Sequence, residues 1–319
     1  MNATAKWFRG VDDLGRIFTF AIAGDTVSAY FPNIDAPEFE LSDRGRRSHG
    51  GPPVQYWRDT IAVPEFERWK KENHVALVVA SSAIPGQYFP RIYRGRENAA
   101  PDAEARNATV RVARALFERL EDVFKLIEPV ATHQDVFGHE LRHLLILAAT
   151  EVESAWKAVL RANHYPGDRW TTRDYVRLQT AMKLDAYAVK LAGFPSFGEV
   201  VPFAGWSAAN PTESLPWYSA YNANKHNREV YLKRATLGAA IDACAAVHIM
   251  AVAQFGSEHV DHREFHHSDI FAVTRHWRWL EDAYIRPLAA PEAPLARWPE
   301  DWTEHWPREW VAEDYSFTT

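Results

Sequence analysis

The chain has 319 residues, 47% hydrophobic and 24% charged, with a net charge of −6; that length suggests about two domains, each able to bury a core without staples. The acidic balance excludes a chain-wide basic surface of the kind nucleic-acid binders carry, leaving room only for a local one, and Cys244, the one cysteine, excludes an intrachain disulfide and a cysteine-based zinc site. No apolar stretch reaches the ~18 residues that span a bilayer, and the start Met1-Asn2-Ala3-Thr4-Ala5-Lys6 lacks a secretory pattern, so a cytoplasmic protein without a membrane segment is expected.

Residues 1–100 predict a small α+β region. Two apolar β-type runs, 17–22 and 26–31, flank Gly24-Asp25 and read as a hairpin, and 75–80 reads as a further buried strand. Residues 43–53, rich in Arg, Gly and Pro, predict an exposed loop.

Residues 102–256 turn helical and predict a bundle of four to five helices in a mainly α chain. Val110, Ala113, Leu116, Phe117, Leu120, Phe124 and Ile127 recur at helical spacing before Pro129. A second stripe runs from Phe137 through Leu141, Leu144, Ala148, Val152 and Trp156 to Val159. Thr171-Thr172-Arg173-Asp174 has the form of a capping box and opens a third helix through Tyr175, Leu178, Met182, Tyr187 and Leu191. A proline-rich loop follows over 194–216, then a fourth helix from Pro216-Trp217 and an Ala-rich fifth over about 236–255, placed in the middle of the bundle because small residues let neighbours approach closely. Residues 257–319 read as an irregular extension. Trp298, Trp302, Trp306 and Trp310 fall every four residues, interrupted by Pro299 and Pro307, as an aromatic strap or a docking surface.

Three groups of residues carry candidate chemistry. His139-Glu140-Leu141-Arg142-His143 matches the zinc-protease pattern H-E-x-x-H, in which two imidazoles share a helix face and the Glu acts as base. No third ligand follows on that helix, because Glu151 lies ~12 Å along the axis from His143 at ~1.5 Å per residue; a helix start with solvated histidines and no metal is expected, with His139 and His143 as the alternative metal ligands. Arg142 and Glu153, three turns apart, share one face of the second helix, and Glu140 and Glu151 share another. Finally, in 217–229 a continuous helix would set Tyr218, Asn222, Lys225, His226 and Glu229 on one strip with Trp217 and Tyr221 beside it. Amide, cation, imidazole and carboxylate flanked by aromatics suit hydrogen bonding and stacking against a nucleotide or RNA, and His226 could exchange protons near neutrality.

The helix carrying Glu140-Leu141-Arg142 and Thr150-Glu151-Val152-Glu153, the later Tyr221-Asn222-x-x-Lys225-His226-x-Arg228, and the Ala-rich helix after it together resemble the HEPN superfamily, in particular its bacterial HEPN-like members. The resemblance covers about residues 103–256. It implies a helical bundle, commonly a homodimer, acting around RNA or nucleotides or with a protein partner in toxin–antitoxin or phage-defence systems, without a cofactor. It also implies ribonuclease chemistry on a helix bearing Arg, four to six residues, then His. Here no Arg precedes His226 at that spacing and Arg228 follows it. The implied site has Asn222, His226 and Arg228 as its catalytic residues, with Arg142, Glu151, Glu153, Tyr218, Tyr221, Lys225 and Glu229 binding the ligand. A non-catalytic interaction or scaffold protein is the alternative, and a zinc hydrolase built on His139, Glu140 and His143 the third reading.

Overall fold

The structure is a computed structural model that describes residues 6–11, 17–23, 26–30, 60–72, 74–75, 77–83, 87–95, 103–257, 270–277, 282–284 and 311–317. The predicted turn at Gly24-Asp25, the loop over 43–53 and the four spaced tryptophans of the tail lie outside the described residues. The chain divides into two compact units: Met1–Tyr88 with Arg94–Ala99 and Arg278–Ala312, and Phe89–Tyr93 with Ala100–Trp277 and Glu313–Thr319.

The first unit is built on an antiparallel sheet of β1 (Lys6–Val11), β2 (Ile17–Ala23), β3 (Thr26–Tyr30), β4 (Thr60–Ala62) and β5 (Leu77–Ala80), in the order β4-β3-β2-β1-β5, with α1 (Val63–Glu72) between β4 and β5. The expected hairpin is β2–β3, in the register Ala23↔Thr26. The pairing Phe8↔Phe20 stacks two rings 5.6 Å apart, and Phe66 of α1 packs on Phe20 at 4.6 Å, so one aromatic column joins helix to sheet. Arg9, buried, donates to the carbonyls of Ala283 and Tyr284. Gln87–Tyr88 forms β6, which pairs in parallel with Val311–Ala312.

The second unit is mainly helical. Its long helices are α2 (Ala103–Phe124) and α3 (His139–Ala162). The predicted third helix is instead broken: α4 (Thr172–Tyr175) and α5 (Arg177–Met182) are short, Lys183 turns left-handed at φ 52°, and Ala188–Leu191 is a strand, β7. Tyr187, Val189 and Leu191 share one buried side of this strand with Lys190 exposed between them, and a register irregularity at Ala188/Val189 leaves Ala188 buried as well. β7 pairs antiparallel with β8 (Glu199–Val200), inside the segment expected to be loop. Then come α6 (Pro216–His226), α7 (Arg228–Tyr231), α8 (Leu237–Phe255) and β9 (Phe271–Arg275), which pairs with β7. The capping box at Thr171 and Asp174 is present, while Phe137, expected inside α3, lies before its start and is 45% exposed.

α8 packs against α2, α3 and α6 and is buried on almost every side, as a helix apolar all round must be. Ala240, Ala243, Ala245, Ala246, Ala251 and Ala253 let its neighbours close in. Thr236 caps its start by accepting from Ala239 N, and Gly256, at φ 86°, ends it in a backbone region that only glycine adopts freely. Contrary to the sequence expectation, α8 is long and apolar enough by length and composition to cross a membrane, though it is mostly buried within this unit. The aromatic centre is Trp156 of α3, with rings of Tyr175, Phe203, Trp206, Trp217 and Tyr218 about it; Trp206 stacks on it at 4.9 Å.

Candidate functional site

The site begins where α3 meets α6. Arg142 and Glu153, three turns apart on α3, both reach α6: Arg142 Nη2 donates to the Asn224 carbonyl at 3.0 Å, and Glu153 Oε1 accepts from the Tyr218 hydroxyl at 2.6 Å. On α6, residues 218, 221, 222 and 225 follow at i, i+3, i+4 and i+7 and share one face. Lys225 Nζ donates to the Tyr221 hydroxyl at 3.0 Å and lies 5.2 Å from that ring, and Lys157 Nζ stands 3.7 Å from Glu153 Oε2. Tyr175, which the sequence placed on a helical stripe and not among the site residues, adds a hydroxyl that donates to the Trp170 carbonyl.

Electrostatics ties these groups together. Burial, then the hydrogen bond to Glu153 and the charge behind it, holds the Tyr218 phenol far above its usual range, while Asn222 acts in the opposite sense. Burial, followed by the charges of Glu153, Asp174 and Tyr221, pushes Tyr175 up to about 12. The hydrogen bond to Tyr221 is the first cause that raises Lys225, and Glu153 adds to it. The cluster is therefore a hydrogen-bonded network of phenols and a lysine gathered about one carboxylate, and its Tyr218–Glu153 bond fastens α6 to α3.

The single strip expected over 217–229 is not continuous. α6 ends at His226, and Asn227, at φ −147° and ψ 88°, leaves the helical region to cap α7 by accepting from Val230 N. Glu229 therefore does not extend the α6 face. His226, Arg228 and Glu229 are all exposed and their side chains make no hydrogen bond or ion pair among the described residues, so the proposed trio of Asn222, His226 and Arg228 is split: Asn222 belongs to the α3–α6 network and the other two to the surface beyond it. Glu151, two residues from Glu153, points to another side of α3; it is half-buried, and desolvation raises its carboxyl.

The break produces a second feature. From 225 to 234 the chain reads Lys-His-Asn-Arg-Glu-Val-Tyr-Leu-Lys-Arg, four cations and a histidine against Glu229, in a chain with a net charge of −6. Lys225, His226, Arg228, Lys233 and Arg234 are all exposed, and so are Val230 (63%) and Tyr231 (39%). This connector is held at its carboxyl end. Arg234 Nη2 donates to Ser219 Oγ at 2.9 Å, while Leu237 N donates to the Val136 carbonyl at 2.7 Å and Thr236 bridges Phe137. Arg142 and Lys225 also place positive charge at the carboxyl end of α6, where helix carbonyls favour it. Comparison of the chain with protein-family models, with curated proteins and with solved structures gives no match in any of the three. The connector's lower half escaped the sequence reading, although Lys233 and Arg234 with Tyr231 between them and Arg228 were a legible basic and aromatic run.

Two of the H-E-x-x-H residues, Glu140 and His143, pair with each other, and Glu140 also pairs with α2. Glu140 Oε1 lies 3.3 Å from Arg119 Nη2 of α2, and its other oxygen 3.4 Å from His143 Nδ1, all at the exposed start of α3. Among the described residues no three His, Cys, Asp or Glu side chains converge as a metal would need.

Proposed function

We propose that this chain is a HEPN-like helical-bundle protein that binds RNA, with the 225–234 connector as its contact surface and the α3–α6 network as the support that fixes it. The observation that carries this reading is the connector itself: Lys225, Arg228, Lys233 and Arg234 exposed around Tyr231. Phosphates on a flexible strand are met by such cations and bases by an exposed ring. The reading includes a cytoplasmic homodimer acting in phage defence or a toxin–antitoxin pair, as the family resemblance implies. Binding rather than cleavage is proposed, because Arg228 follows His226 across a helix break instead of preceding it on the same helix.

The test is a titration of full-length protein with fluorescently labelled single-stranded RNA. Arg228→Glu with Lys233→Glu is expected to weaken binding at least tenfold with an unchanged circular dichroism spectrum. Wild-type protein that fails to bind, or a double variant that binds as well, would remove the reading. His226→Ala is expected to leave affinity within about twofold, and RNA cleavage by wild type that this variant loses would replace binding with ribonuclease chemistry.

A further inference from the structure

The last described residues of the second unit, 313–317, have no regular secondary structure, yet they are specifically seated. The seat is built on Asn163, which is 2% exposed. Its Nδ2 donates to the carbonyls of Pro90 and Val159 at 2.8 and 2.9 Å, which fixes the amide so that Oδ1 accepts the backbone N–H of Tyr315 at 3.1 Å. Without that N–H a buried amide oxygen would lose its partner, so the surface is constructed to receive an extended main chain.

Side chains supply the selectivity. Tyr315 and Phe317, two residues apart and so on one side of an extended segment, meet separate rings edge-on: Tyr315 on Phe89 at 5.1 Å and Phe317 on Tyr165 at 5.5 Å. Arg177 Nη1 donates to the Phe317 carbonyl at 3.2 Å while its guanidinium lies 6.0 Å from the Tyr165 ring. Asp314 Oδ1 meets His164 Nδ1 at 2.7 Å. Glu313, Asp314 and Ser316 are exposed and the two aromatic anchors only half-buried, so the segment is held by a shallow set of contacts rather than enclosed.

From this we propose that the surface formed by Phe89, Asn163, His164, Tyr165 and Arg177 is a peptide-binding site, and that its occupant in trans is the same acidic–aromatic segment, 313–317, of a second copy. A second copy carries an identical segment, so every contact above is reproduced on exchange, and the higher effective concentration of a chain's own segment, which follows directly on the β6-paired Val311–Ala312, favours the closed form.

The test uses full-length chains and a labelled synthetic peptide, Glu-Asp-Tyr-Ser-Phe. Tyr315→Ala with Phe317→Ala empties the surface; this variant is expected to bind the peptide at least tenfold more tightly than wild type, and to ignore a peptide in which Tyr and Phe are replaced by Ala. Mixing it with an Arg177→Glu chain, which keeps the segment and loses its Arg177 contacts in the seat, is expected to yield mixed assemblies larger than either chain forms alone by size-exclusion chromatography. A folded double variant that does not bind the peptide, or peptide binding without those larger mixed assemblies at concentrations where the peptide saturates, would overturn the proposal. Should the double variant not fold, wild type incubated with an excess of benzophenone-bearing peptide decides: cross-linking within 163–177 that unlabelled peptide suppresses supports the site, and its absence overturns it.

Discussion

At the scale of residues, the hydrogen bond between Tyr218 and Glu153 concentrates the largest single effect. At 2.6 Å, with the carboxylate side chain 16% exposed, the phenol shares with Lys157 the task of making this charge tolerable away from bulk water. Tyr218→Phe is expected to destabilise the protein by about 1–3 kcal/mol in urea denaturation, and Tyr218→Phe with Glu153→Gln by less than the sum of the two single changes; full additivity would show that the groups do not interact. Asp242 offers the complementary case. It lies on α8 at a partly exposed position, its side chain without a hydrogen bond or ion pair among the described residues, and desolvation pushes its carboxyl up to about 7 from the ordinary 3.8. A carboxyl whose folded pKa is raised contributes most below its unfolded value, so stability should fall as pH rises from about 4 to about 7, by on the order of 2–4 kcal/mol. Asp242→Asn is expected to flatten that decline in thermal or urea melts, and parallel profiles for the two proteins would contradict it. The pairing of Arg142 with Glu153 on one face was legible, because eleven residues make three helical turns whatever surrounds them. Which of the polar residues on α6 would meet them was not, since Asn222, Lys225 and His226 look alike until the helix end is fixed.

At the scale of elements, the decisive feature is the break at Asn227. A periodic pattern cannot reveal where α6 stops when polar residues continue at the same spacing; what stops it is Asn227, whose side chain serves Val230 N better as a cap than as an interior residue. The cap on α8 works likewise, and Thr236→Ala is expected to cost about 1 kcal/mol in urea denaturation, with no change contradicting the role assigned to its hydroxyl. Long amphipathic helices such as α2 and α3 could be read from spacing alone. The segment from α4 to β7 could not, because Tyr187 and Leu191, four apart, fit a helical stripe and equally, with Val189 between them, one side of a strand. The choice fell to β9, more than 75 residues away, which supplies the ladder for β7.

At the scale of the whole molecule, a chain with net charge −6 gathers four cations in ten residues at one surface connector. Composition hides such a patch, since it averages over the whole chain, and only the ends of α6 and α8 bring those side chains to the same exposed stretch. The mostly buried α8 sets the base from which that stretch projects. RNA binding through the connector is therefore an electrostatic claim, and the dependence of affinity on salt tests it most directly. For three or four phosphate contacts at ~0.7 each, the slope of log affinity against log salt should be about −2 to −3, and Arg228→Glu with Lys233→Glu should shrink it by about 1.4. A wild-type slope near zero, or one that the two substitutions leave unchanged, would contradict the account.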